Sequence, residues 1–155
     1  MIKLQYKKLY GSSMEKILVS ACLLGVPCRY DGKSKPVKEV IALKDRYELI
    51  PVCAEVLGGL PTPRIGAEIV GDKVIRSDGI DVTYEYHKGA NEALKIAKEN
   101  GCKLAILKSK SPSCGKGQIY DGTYTRTLIN GNGVLTELLL KNNIKVYAET
   151  EIDKL

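Results

Sequence analysis

Apolar residues follow two rhythms along this chain. Short unbroken runs bounded by turn residues alternate with stretches in which apolar positions recur every three or four residues. Residues 16–20 (Lys-Ile-Leu-Val-Ser) form a run of the first kind and predict a buried strand ending at Ala21-Cys22. Over 36–47, Val37, Val40, Ile41 and Lys44 share one face and Pro36 suits a first turn, which predicts a helix. Residues 48–52 return as a strand that ends at Cys53. Residues 67–70 and 73–76 flank Gly71-Asp72 and predict a two-residue hairpin. Asp81 is a fitting N-cap for a long helix through Asn100, closed by Gly101. Its inner face comprises Val82, Tyr86, Ala90, Ala93, Ile96 and Ala97. Residues 104–107 predict a third buried strand leading into the loop of Cys114, 133–141 a short helix and 144–148 a last strand.

This order is that of an α/β protein. Short buried runs fit a single domain built on a mostly parallel central β-sheet flanked by helices, Rossmann-like, with a β-hairpin beside it. At 155 residues the chain is long enough for one domain with a proper core. Residues 1–13 read differently: Gly11-Ser-Ser13 resembles a linker and Met14 opens the strand pattern. An N-terminal extension or expression scar over 1–13, followed by a domain over 14–155, is the expected division.

Composition narrows the chemistry. No apolar run approaches the ~18–20 residues that span a bilayer. The formal charge is +6, and removing Lys3, Lys7 and Lys8 of the extension leaves 6 − 3 = +3 for the domain. That charge, without a stripe of aromatic and basic residues, argues against tight RNA binding and leaves a nucleotide ligand open. Five cysteines without a secretion signal point to a reducing, cytoplasmic setting rather than a disulfide framework. Their spacings of 6, 25, 49 and 12 contain no Cys-x-x-Cys pair. A zinc ribbon or thioredoxin-type site is therefore not expected. His87 is the single histidine, so mixed Cys/His sites and a Cys/His nucleophile are disfavoured.

Three of the cysteines, Cys22, Cys53 and Cys114, each follow a predicted strand in a loop marked by glycine or proline. Ligands of open α/β sheets bind beyond the carboxyl ends of the strands. Three protein ligands with one open position is the arrangement of a catalytic metal site. Soft thiolates without histidine favour an iron–sulfur cluster, and three ligands leave one iron of a cubane open as a Lewis acid. Glu55, two residues after Cys53, suits a general acid or base. Gly58 and Gly59 allow close backbone approach to a ligand. Ser111 and Ser113, in the loop opened by Lys108, can move protons or hydrogen-bond a substrate, and Arg29 stands in a polar turn after Cys28. Cys102, behind the helix cap, reads as a packing residue.

Residues 20–25 (Ser-Ala-Cys-Leu-Leu-Gly), 28–32 (Cys-Arg-Tyr-Asp-Gly), 53–55 (Cys-Ala-Glu), 58–64 (Gly-Gly-Leu-Pro-Thr-Pro-Arg) and 107–115 (Leu-Lys-Ser-Lys-Ser-Pro-Ser-Cys-Gly) together resemble the thiouracil desulfurase (TudS) family, long known only as a domain of unknown function. The resemblance runs from about residue 14 to 152. The family usually has Cys-Pro-Glu where this chain has Ala54. It implies a 4Fe–4S cluster held by Cys22, Cys53 and Cys114, with the fourth iron free for the substrate's sulfur. It further implies non-redox desulfuration of a thiolated pyrimidine, thiouracil or a thiouridine nucleotide, with Glu55 and Ser111 handling protons. Arg29, Gly58, Gly59, Arg64, Lys108 and Ser113 would line the substrate, and iron–sulfur assembly machinery would load the chain. The competing expectation is an iron–sulfur or sulfur carrier that uses the same thiolates without chemistry on a base. Oligomeric state is not legible.

Overall fold

The computed structural model describes residues 14–155; the expected extension over 1–13 lies outside the described residues. In chain order the elements are β1 (Glu15–Ser20), α1 (Lys38–Ile41), β2 (Tyr47–Val52), α2 (Ala54–Leu57), β3 (Ala67–Val70), β4 (Lys73–Arg76), α3 (Thr83–Glu99), β5 (Leu104–Leu107), β6 (Gln118–Tyr120), β7 (Leu128–Asn130), α4 (Val134–Lys141) and β8 (Lys145–Ala148). Short 3₁₀ turns follow β1, α1 and β8.

Strands β2, β1, β5 and β8 pair in that order, all parallel, as continuous apolar runs require when both faces of a sheet are covered. Alternate residues of β1 serve the two faces. Leu18 enters a core with Ala90, Ala93 and Ala97 of α3 and Leu135 and Leu139 of α4. Ile17 and Val19 enter a core with Val40, Leu43 and the cysteines Cys22 and Cys28. The chain runs outward from β1 to β2, then crosses back to β5 and β8. The switch point therefore lies between β1 and β5, and the crevice beyond their carboxyl ends is where such sheets bind ligands.

The long helix matches expectation closely. Asp81 Oδ1 accepts the Thr83 amide at 2.8 Å, and Gly101 follows the helix in the left-handed region at φ +65°. Two glycines govern how α2 meets α3. A Cβ on Gly58 would stand 1.9 Å from the Glu85 carbonyl oxygen, and one on Gly89 1.7 Å from that of Ala54. Both obstacles are backbone, so neither can swing aside. Gly89→Ala is expected to cost about 1–3 kcal/mol of stability or more, read as a lower denaturation midpoint.

Three elements depart from the sequence reading. The helix expected over 36–47 is one α-turn followed by a 3₁₀ turn over Ala42–Asp45, and Tyr47 instead joins β2 opposite Glu15. A second antiparallel pair, β6–β7, was not foreseen: its strands have three residues each and are joined by a long loop, so no alternation or tight-turn signal marks them. α2 occupies the loop after Cys53.

Candidate functional site

The carboxyl ends of β1, β2 and β5 deliver Cys22, Cys53 and Cys114 to one cleft of about 470 Å³. Cys28 joins them. A left-handed Gly25 turns the chain back after Cys22, and Lys35 donates its amide to the Cys22 carbonyl, which folds the Cys28 turn over the end of β1. The Cys28 thiol shares hydrogen bonds with those of Cys22 and Cys53, and the Cys53 thiol also reaches the Cys28 carbonyl at 3.7 Å. The polar turn of residues 27–32 thus carries a fourth thiol into the group. All five cysteines are free. Cys102, 6% exposed, packs in the core against the sheet.

Cys114 is fixed by its own loop. Ser111 Oγ accepts the amides of Ser113 and Cys114, each at 3.1 Å, and the Cys114 carbonyl accepts the Thr136 hydroxyl at 2.9 Å. Further along this loop Lys116 pairs with Glu151 at 3.0 Å. Burial pushes the Cys114 thiol up to about 12, against the lowering effect of hydrogen bonds from Ser20 and Ser111. The Cys53 thiol is pushed up as well, chiefly by its hydrogen bond with Cys28 and then by burial. These thiols stay protonated until an electrophilic partner draws the protons off.

Glu55 lines the same cleft and is held at one oxygen. Its Oε1 accepts Arg64 Nε at 3.0 Å and the Tyr86 hydroxyl at 2.9 Å. Among the described residues Oε2 accepts no hydrogen bond. Three of the four remaining Arg64 donors go to the carbonyls of Pro61 and Cys28 and to Thr62 Oγ1. Burial pulls the Arg64 pKa down, but the charge and hydrogen bond of Glu55, with smaller contributions from Cys53 and Tyr86, together leave it raised.

The expected substrate residues divide. Arg29 and Ser113 line the cleft; Arg29 lies 3.8 Å from Asp31. Lys108 also lines it, but its ammonium is tied to Glu149 at 3.1 Å and to Ser109. Arg64 lines the cleft too, with its Nε donated to Glu55. Gly58 and Gly59 are not among the residues that line the cleft; Gly58 is pressed against α3, and its missing side chain permits that helix packing. Sequence reasoning did not find Tyr86 as a site residue, nor Tyr120, Tyr124 and Arg126, which form the outer wall. Tyr124 and Arg126 take left-handed backbone, and Glu68 Oε1 accepts the amides of Gly122 and Tyr124 to hold that wall against β3.

Among the described residues, no three His, Cys, Asp or Glu side chains close on one point as a single metal ion demands. Thiolates on a polynuclear cluster bind separate irons and need not. Other features suit such a group. The cleft offers grouped thiols and no imidazole, since His87 lines a different cleft. Ser113 Oγ, on a residue 1% exposed, has no hydrogen-bond partner among the described residues and borders the cysteine cleft. Buried hydroxyls normally find an acceptor, and a cluster sulfide or thiolate would supply one.

Comparison with known proteins gives a consistent picture. The profile of the 2-thiouracil desulfurase family matches residues 17–151. A Bacillus subtilis (strain 168) protein, "Uncharacterized protein YbbK", is 40% identical over 147 residues, covering 88% of this chain and 97% of its own length. The solved structure of the [4Fe-4S]-dependent thiouracil desulfidase TudS superposes with a TM-score of 0.87 at 45% identity, covering 91% of this chain and 95% of that one.

Proposed function

The chain belongs to the 2-thiouracil desulfurase family, and on that premise we propose that it converts a thiolated pyrimidine, thiouracil or a thiouridine nucleotide, to its oxo form. The reaction exchanges sulfur for oxygen: thiocarbonyl and water give carbonyl and hydrogen sulfide, with no net change of oxidation state. The observation that carries the reading is the convergence of thiols from three parallel strand ends on one cleft that also holds a carboxylate.

Cys22, Cys53 and Cys114 would hold a 4Fe–4S cluster whose remaining iron offers a Lewis-acid position for the substrate's sulfur. The other roles fall to the chain. Glu55, through Oε2, takes the proton of the water that adds to the sulfur-bearing carbon. Ser111 relays a proton or orients the ring. Ser113 donates into the cysteine group. Tyr30, Tyr120 and Tyr124 wall the cleft with aromatic surface suited to a flat base. Lys110 and Arg126 also line it, and neither forms an ion pair among the described residues, which suits an anionic substituent such as a nucleotide phosphate.

Five free thiols fit a reducing compartment, in keeping with a cytoplasmic enzyme loaded by iron–sulfur assembly machinery. Among the described residues no helix is long and apolar enough to cross a membrane. The test is anaerobic reconstitution followed by incubation with 2-thiouracil, 4-thiouracil and their nucleotides. Equimolar oxo-pyrimidine and sulfide over many turnovers are expected. A fully loaded cluster with no turnover on any of them would favour the carrier reading.

A further inference from the structure

We propose that Tyr86 is a positioning residue for the reaction, acting through Glu55. The inference rests on the desulfidase reading and extends it to a residue on a different element. Tyr86 is 3% exposed, sits on the inner face of α3 and packs with Val74 and Val82. A buried phenol needs a hydrogen-bond partner. This one spends its hydroxyl on a carboxylate at the cleft, 31 residues away in sequence, rather than on a nearby backbone carbonyl.

The consequence is geometric. A carboxylate on the four-residue helix α2 could turn about its last bond and offer either oxygen. Here two donors address the same oxygen: Tyr86 at 2.9 Å from one side of the network and Arg64 at 3.0 Å from the other. Both are anchored. Tyr86 is set in a seventeen-residue helix, and Arg64 is fixed by the carbonyls of Pro61 and Cys28. Oε1 is thereby committed to the protein and Oε2 to the cleft. Burial, and then the Glu55 charge, push the phenol above its ordinary range, so it remains a donor. Restricting the carboxylate to one orientation favours the productive geometry before substrate arrives.

The direct test is a kinetic double-mutant cycle on the reconstituted enzyme with Y86F, E55Q and Y86F/E55Q. Y86F removes one oxygen and keeps the ring. It is expected to load the cluster as the wild type does, to leave KM within about twofold, and to lower kcat about ten- to a hundredfold, the range for a hydrogen bond to a charged group. The double variant is expected to be no slower than E55Q, because Tyr86 has nothing left to position. Infrared spectra supply a readout independent of turnover: the carboxylate band that E55Q removes should shift in Y86F. Independent, multiplying losses, an unmoved band, or failure of Y86F to load the cluster would each overturn the role of Tyr86 while the wild type stays active. A loaded wild type without turnover on any thiopyrimidine would instead sink the desulfidase reading, and this inference with it.

Discussion

Cys22→Ser, Cys53→Ser and Cys114→Ser, made singly, are each expected to abolish desulfuration and to leave the reconstituted protein without a stable cluster. Serine keeps the approximate volume, so packing is disturbed little, but its hydroxyl is a hard donor that iron–sulfur clusters do not select. The losses should be total rather than graded, because two thiolates cannot hold a cubane that three hold with one position open. Iron and sulfide content and the visible absorbance of the cluster are the measurements. Cys28→Ser is the informative partner. Its thiol touches those of Cys22 and Cys53 but follows the Gly25 turn instead of a strand end. It is expected to retain cluster and most activity. Cys102→Ser, remote from the cleft, should load normally and act only on stability.

Glu55→Gln is expected to separate cluster from chemistry. The amide preserves size and can still accept from Tyr86 and Arg64, so the loop after β2 keeps its shape. It cannot take a proton from water. Cluster content should match the wild type and KM should change little. The turnover rate should fall about 10²–10⁴-fold, the usual contribution of a positioned general base. Retained activity in a fully loaded Glu55→Gln enzyme would remove this carboxylate from the mechanism and pass the role to Ser111 or to water bound at the cluster.

Much of this architecture was legible in the chain, for physical reasons that also mark the limits. β1, β5 and the β3–β4 hairpin fall where apolar runs and Gly71-Asp72 place them, because buried parallel strands and two-residue turns leave strong local signatures. The thiol convergence could be anticipated because parallel strands send their carboxyl ends to one rim. Long-range contacts were not legible. Tyr86 reads as a core residue of α3, and it is one; only its hydroxyl belongs to the site. The rule that a buried phenol finds a partner could have flagged it, but not named Glu55. The pair Gly58 and Gly89 shows the same limit: nothing local marks that each is required by the backbone of the other's helix. Arg64 pairs with Glu55, a partner nine residues back that the sequence does not single out.

The account stands on strand-end thiols gripping one cubane and leaving a corner for substrate. The most direct measurement is an anaerobic crystal structure of the reconstituted protein with iron located by anomalous scattering. The account predicts four irons in the cleft, three bonded to the sulfurs of Cys22, Cys53 and Cys114, and a fourth without a protein ligand. Iron elsewhere, a single ion, or a cluster fully closed by Cys28 as a fourth ligand would contradict it.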